Sequence, residues 1–85
     1  MRSREKLEAL VENAYQNGQK LDSFGDYNEG TQEGHDAGFF QYGGLYLVVE
    51  RNDDDVQIDD YIDAQEARLD FEEIKEEIEA EIEDD

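Results

Sequence analysis

The sequence predicts a single α+β domain with an N-terminal helix, a long glycine-rich loop, a two- or three-stranded antiparallel sheet and a long acidic C-terminal helix. Two observations predict this arrangement: apolar residues recur at helical spacing near both ends of the chain, and they alternate at strand spacing in the middle. A chain of 85 residues without cysteine buries only about 60% of the surface that it exposes when unfolded. We therefore expect a small core, stabilised by packing, by a partner or by a second copy of the chain.

The first predicted helix covers residues 3–18. Ser3 is of a residue type that favours the N-cap position, where its hydroxyl accepts a hydrogen bond from the first turn. The apolar residues of this segment share one face at helical spacing, and they are Leu7, Leu10, Val11, Ala14 and Tyr15. Gly18 is expected to end the helix.

Residues 22–38 are predicted to form a loop. Four glycines lie there among polar residues: Gly25, Gly30, Gly34 and Gly38. Glycines in this number are typical of turns. A short turn or strand near Phe24 and Tyr27 is the most structure that we expect.

Residues 38–58 predict a β-hairpin that extends into a meander. A Gly-Gly pair at positions 43–44 separates an aromatic run from an aliphatic one, and a two-residue turn needs the positive φ that glycine adopts freely. In this register Phe40 faces Leu47. Residues 52–55 predict a second turn, after which apolar and polar residues alternate as in a short third strand.

The last segment, residues 60–83, predicts a helix because it contains neither glycine nor proline and its apolar residues recur at spacings of three and four. Six of them share one face: Ala64, Ala67, Phe71, Ile74, Ile78 and Ile82. This face is expected to pack on the sheet or on the first helix. Ile62 and Leu69 fall on the opposite side. The alternative to one continuous helix is therefore a break at Asp70, which with Glu73 resembles a capping box.

The same apolar stripe has a second interpretation. Its spacing matches a heptad seam, which would pair two copies of the chain. We expect burial within the monomer instead, because the sheet and the first helix both need cover. A homodimer through the C-terminal helix stays the alternative.

The chain is strongly acidic, with 26 Asp and Glu against 7 Lys and Arg and a formal net charge of -19. This charge disfavours direct binding to nucleic acid or to an anionic membrane, and it favours a basic partner such as a protein surface that holds DNA or RNA. Residues 1–51 carry 9 acidic and 5 basic residues, a net of -4, whereas residues 52–85 carry 17 and 2, a net of -15. The C-terminal part is therefore the expected binding region.

The charge density of this region is close to that of a nucleic-acid strand. Residues 60–85 carry 13 acidic and 2 basic residues, which at a rise of about 1.5 Å per residue is about one net charge per 3.5 Å. One DNA strand carries about one phosphate per 3.4 Å. Like charges one turn apart, such as Glu72 and Glu76, each cost roughly 0.2–0.5 kcal/mol, so stability alone does not favour this sequence.

Proteins from salt-accumulating organisms are also typically acidic, and they contain little lysine. Such adaptation spreads over the whole surface, whereas the first 51 residues here are only mildly negative. A small halophilic interaction or adaptor protein, whose acidity serves solvation, is nevertheless the alternative to a specific binding surface.

Residues that would carry chemistry are few. His35 is the one histidine, and no cysteine accompanies it, so neither a catalytic nor a metal-binding role is expected. The Asp-rich segment 52–60 lacks the glycine and the terminal glutamate of a calcium-binding hand and is expected to be a solvated turn. We expect no enzyme activity, no cofactor and no metal.

The longest apolar run, Leu45 to Val49, is far shorter than a membrane span. Residues 1–6 are not followed by the apolar stretch of a signal peptide. We therefore expect the protein in the cytoplasm, and in that of a host cell if it is viral.

In its size, its acidity and the row of Asp and Glu along a helix, the chain resembles the small phage-encoded nucleic-acid mimics, which include anti-CRISPR and anti-restriction proteins. The resemblance covers the composition and the segment from Asp53 to Asp85. It implies an inhibitor that occupies the DNA- or RNA-binding channel of a Cas effector, a nuclease or another defence complex, with carboxylates in place of phosphates. The candidate partner-binding residues are Asp53, Asp54, Asp55, Asp59, Asp63, Glu66, Leu69, Glu72, Glu73, Glu76, Glu77, Glu79 and Glu83.

Overall fold

The computed structural model describes residues 2–83, excluding the side chain of Glu83. Its elements are α1 (Arg4–Asn17), β1 (Gln19–Asn28), β2 (Glu33–Tyr42), β3 (Leu45–Asn52), β4 (Asp55–Tyr61) and α2 (Ala64–Glu83). The strands form one antiparallel sheet in the order β1-β2-β3-β4. The predicted α+β class is confirmed, with four strands in place of two or three. Among the described residues, no helix has both the length and the apolar character needed to cross a membrane.

The prediction of a loop over residues 22–38 is wrong, because most of this segment lies in β1 and β2, which pair with each other. Two of its glycines have positive φ inside the strands, 100° at Gly25 and 125° at Gly34. A Cβ atom at Gly25 would lie 2.4 Å from the carbonyl oxygen of His35, so glycine is what lets the two backbones approach. The chain reverses between the two strands, at residues 29–32.

The predicted hairpin is confirmed, with Phe40 opposite Leu47. Successive residues of a strand point to opposite faces of the sheet. Phe40 and Leu47 therefore face α1, whereas their neighbours Phe39 and Val48 face α2. Both faces of the sheet are apolar in the middle, and each is covered by one helix.

Helix α1 has the predicted bounds to within one residue and packs on the first face. Ser3 is its N-cap, with its hydroxyl accepting a hydrogen bond from the N–H of Lys6 at 3.3 Å. Gly18 follows the last helical residue, and its N–H donates to the carbonyl of Ala14. The core on this side consists of Val11, Ala14, Phe40, Leu47, Val49 and Ile58.

Helix α2 begins at Ala64, later than the predicted start at residue 60. Asp60 and Tyr61 remain paired with β3 as the end of β4. Asp63 then accepts a hydrogen bond from the N–H of Gln65 at 2.8 Å, which stabilises the first turn. From there the helix continues to its end without a break, so the prediction of one continuous helix is confirmed.

The apolar stripe of α2 packs on the second face of the sheet, but only along its middle. The core on this side consists of Ala37, Phe39, Val48, Ala67, Phe71, Ile74 and Ile78. Ala64 and Ile82, at the two ends of the stripe, are exposed. The middle of the stripe is therefore buried within the monomer.

Candidate functional site

The two helices carry very different charges. Helix α1 has 3 acidic and 2 basic residues, a net of -1. Helix α2, on the other face of the sheet, has 9 acidic and 2 basic residues, a net of -7. The sheet therefore separates a nearly neutral layer from a strongly negative one, and the negative layer is the candidate functional site.

Both basic residues of α2 lie on its flank toward β1. The guanidinium carbon of Arg68 is 5.2 Å from the ring centroid of Phe39, and Nη1 is 3.8 Å from the carboxylate of Asp22. The ammonium group of Lys75 is 5.4 Å from the ring centroid of Phe24. Such contacts attract a cation to the face of an aromatic ring. They hold both cations at one side of α2 and away from its outer face.

The flank of α2 toward β4 carries acidic residues instead. At about 100° per residue, one side of the buried stripe collects Glu66, Asp70, Glu73 and Glu77. Asp59 of β4 adjoins them: its burial and the negative charge of Asp70 raise its pKa. Tyr61 donates a hydrogen bond to Asp70 at 2.7 Å. The part of the pKa shift of Asp59 that Asp70 causes reflects negative charge that is crowded here.

Most of the predicted partner-binding carboxylates lie on the outer face of α2, on its flank toward β4, or on β4 with the turn before it. We call this group the acidic surface, and it comprises Asp54, Asp55, Asp59, Glu66, Asp70, Glu73, Glu76 and Glu77. Apart from Asp59 and Asp70, their side chains make no hydrogen bond or ion pair with another described residue. These carboxylates are free to meet a partner.

Asp53, which was predicted to bind a partner, has a role within the fold. Its carboxylate accepts a hydrogen bond from the N–H of Gly34 at 3.1 Å, and its carbonyl accepts one from the hydroxyl of Tyr27 at 2.6 Å. Its own N–H donates to the carbonyl of Gly34 at 2.8 Å. Asp53 therefore joins the β3–β4 turn to the β1–β2 hairpin.

The other predicted residues lie at the margin of the acidic surface. Asp63 caps α2. Glu72 lies 3.5 Å from Arg68, so its charge is partly balanced, and Glu79 is half-buried on the side of α2 away from β4. The side chain of Glu83 lies outside the described residues.

Two apolar side chains interrupt the acidic surface. Leu69, on the outer face of α2, is 64% exposed, and Ile62, in the connection between β4 and α2, is 84% exposed. Leu69 lies one helical turn before Glu73. An exposed leucine among carboxylates gives this face an apolar contact point in addition to its charge.

Sequence reasoning missed the contacts of His35. Its Nε2 lies 2.7 Å from the carboxylate of Glu50 on β3, and its Nδ1 lies 2.9 Å from that of Glu81 on α2. Burial lowers the pKa of His35, but hydrogen bonds to the two glutamates outweigh burial, so its pKa is above the ordinary 6.5. The last turn of α2 has no basic residue. Since a helix C-terminus favours a cation, that absence was the signal that another element supplies one.

Within residues 2–83, no group of three His, Cys, Asp or Glu side chains is arranged to hold a metal ion. Comparison with protein-family models, with curated proteins and with solved structures found no match. Function therefore has to be inferred from the acidic surface itself.

Proposed function

We propose that the protein is an inhibitor that mimics a nucleic acid and occupies the basic DNA- or RNA-binding surface of another protein, such as a Cas effector or a nuclease. The observation that carries the proposal is the concentration of negative charge on α2 and β4, while α1 on the other face of the sheet is nearly neutral. Such a surface attracts clustered Lys and Arg and speeds the encounter with a basic partner.

The spacing of charge along α2 supports the proposal. The 20 residues of α2 span about 30 Å, so its net charge corresponds to about one charge per 4 Å. This density is slightly lower than that expected for residues 60–85, because the helix starts only at Ala64 and residues 84–85 lie outside the described part of the chain. One DNA strand carries about one phosphate per 3.4 Å. Helix α2 thus offers a comparable row of negative charges to a basic groove.

The distribution of charge also favours a binding surface over general adaptation to salt. Adaptation to salt adds acidic residues wherever a surface is solvated. Helix α1 has exposed positions that carry no charge, and these include Ala9, Asn13 and Gln16. The acidic residues are concentrated instead on α2, where most of them lie on its outer face and on its flank toward β4.

The contacts in such a complex follow from the free groups of the acidic surface. Lys and Arg of the partner would donate charge-assisted hydrogen bonds to Glu73, Glu76 and Glu77. Leu69 would lose its exposed apolar surface at the same time, which adds a contact that a phosphate backbone does not make. Affinity is expected to fall as salt rises, since exposed charges are screened.

Charge reversal on the two helices tests the proposal. The double variant Glu76→Lys, Glu77→Lys alters two exposed residues of the acidic surface, and the control Glu5→Lys, Glu12→Lys makes the same change on exposed positions of α1. We expect the immobilised protein to retain nucleic-acid-binding proteins from a cell lysate and added DNA or RNA to release them. The α2 variant should retain none of them, and the α1 control should retain them all. Circular dichroism checks that both variants fold.

Two outcomes would refute the proposed function. One is a captured protein that still binds its nucleic acid in the presence of an excess of this chain. The other is a loss of capture that is equal in the α1 and α2 variants. Circular dichroism against KCl concentration addresses salt adaptation separately: a chain that folds only in molar salt is halophilic, whereas a chain folded in dilute buffer does not need salt to offset its charge.

A further inference from the structure

We propose that protonated His35 is a latch that holds the last turn of α2 against the sheet, and that loss of its proton releases this turn. The latch is a property of the fold and does not rest on the proposed function. The side chain of His35 is 9% exposed and lies between Glu50 of β3 and Glu81 of α2. It therefore links the sheet to the C-terminal end of the acidic helix.

The two contacts of His35 require an imidazolium. Only the protonated ring has an N–H on both nitrogens, and both nitrogens face carboxylate oxygens, at 2.7 Å and 2.9 Å. A neutral ring would donate to one carboxylate and place a lone pair against the other. Both contacts therefore exist together only while His35 carries its proton.

The other groups around His35 are also mostly negative. Asp26 of β1 lies opposite His35 in the sheet, and Glu77 lies one turn before the bound glutamate on α2. The C-terminal end of a helix dipole adds negative potential here. Lys75, a cation of α2 on this side of the sheet, is held beside the ring of Phe24 instead. The surroundings thus favour the charged form of His35.

The direction of the pH dependence follows from these contacts. Burial lowers the pKa of His35, but the hydrogen bonds to the two glutamates raise it by more than burial lowers it. The pKa therefore lies above the ordinary 6.5. A histidine with a raised pKa stabilises the fold fully below that ordinary value, and the contribution is lost as pH rises through the pKa in the folded state. Glu81 is the partner that leaves, because its side chain is 58% exposed and that of Glu50 only 17%.

The single histidine of the chain makes the test direct. The ring resonances of His35 report its titration by NMR, and amide hydrogen exchange of residues 79–82, corrected for the intrinsic effect of pH, reports the attachment of the last turn. We expect the ring to titrate above 6.5. Over the same pH interval the protection of the last turn should fall roughly tenfold, the ratio that matches loss of one charge-assisted hydrogen bond.

Two variants of α2 separate the latch from a general effect of charge. Glu81→Gln removes the helix side of the latch, whereas Glu79→Gln removes an equal charge two residues away and leaves the contacts of His35 in place. We expect Glu81→Gln to lower the pKa of His35 and to remove most of the pH-dependent step in protection, and Glu79→Gln to retain both. The proposal is overturned if wild-type protection is constant across the titration of the ring, if the ring titrates below its ordinary value, or if the step survives in Glu81→Gln.

Discussion

Arg51 of β3 binds Asp36 of β2 at two points: Nε and Nη2 donate to the two carboxylate oxygens at 2.8 Å and 2.6 Å. The same guanidinium group donates to Glu29 at 3.0 Å and lies 4.3 Å from the ring centroid of Tyr27. The hydrogen bonds to Asp36 are the main reason that the pKa of Arg51 is raised. The carboxylates of Asp36 and Glu29 are thus balanced by a cation, and those of the acidic surface are not.

Replacing Arg51 with lysine keeps the charge and removes the pair of parallel hydrogen bonds to Asp36. An ammonium group cannot bind both oxygens of Asp36 in parallel, so we expect Arg51→Lys to lower the free energy of unfolding by about 1–2 kcal/mol, as measured in urea. Arg68→Lys is the matched control, because Arg68 is half exposed and makes longer contacts, at 3.5 Å and 3.8 Å. Its expected loss is below about 0.5 kcal/mol. Equal losses in the two variants would show that the paired hydrogen bonds to Asp36 add nothing to the free energy of unfolding.

The sequence predicted the elements whose pattern is local, and it missed those that depend on a neighbouring strand. The stripe from Ala67 to Ile78 has the period of a helix and the segment around Phe40 that of a strand, so both were recognised. Gly25 and Gly34 have the composition of a loop. Only the pairing of β1 with β2 shows that they lie in strands, where the close approach of the opposite backbone leaves no room for a side chain, and that closeness is a tertiary property.

A side chain at Gly25 should therefore be costly. Its φ is 100°, and an added Cβ would meet the carbonyl oxygen of His35 at 2.4 Å, so we expect Gly25→Ala to destabilise the fold by about 3 kcal/mol. Gly44→Ala is the control, since a Cβ there has no atom within 4 Å, and its effect should stay within about 0.5 kcal/mol. Thermal unfolding of the two variants measures both. A stable Gly25→Ala would mean that β1 is not held as described.

The candidate site was predictable to a similar extent. Helical periodicity placed Glu73 and Glu76 away from the apolar stripe of α2, and both are exposed. It could not show that the carboxylate of Asp53 accepts a hydrogen bond from the N–H of Gly34, or that Asp59 lies next to Asp70. Both contacts depend on how the strands and α2 come together in the fold. The charge of a carboxylate is visible in the sequence, but whether the fold already uses that charge is not.

Phe71 and Leu69 lie two residues apart on α2, and their truncation should have very different effects on stability. Phe71 is 0% exposed, and its ring centroid is 6.0 Å from that of Phe39. We expect Phe71→Ala to cost about 3–5 kcal/mol. Leu69→Ala should change the free energy of unfolding by less than about 0.5 kcal/mol, since Leu69 is 64% exposed. Urea unfolding provides the measurement, and a large loss in Leu69→Ala would show that this side chain is buried in solution.

Removal of the charge of Asp59 should stabilise the fold near neutral pH. Burial of Asp59 and the neighbouring charge of Asp70 raise its pKa, so folding disfavours the ionised carboxylate. The cost is present above the pKa in the folded state and disappears as pH falls through it. We therefore expect Asp59→Asn to raise the unfolding temperature near neutral pH, and the difference from the wild type to shrink on acidification.

Asp55→Asn is the matched control for this prediction, because Asp55 is exposed like Asp59 but lies at the opposite end of β4, away from Asp70. Its effect on the unfolding temperature should be smaller. Equal effects of the two variants would mean that only the total charge of the chain matters, and not the pairing of Asp59 with Asp70. If Asp59→Asn stabilises the fold and also weakens capture of the basic partner, the acidic surface is retained at a cost in stability, which is expected of a surface maintained for binding.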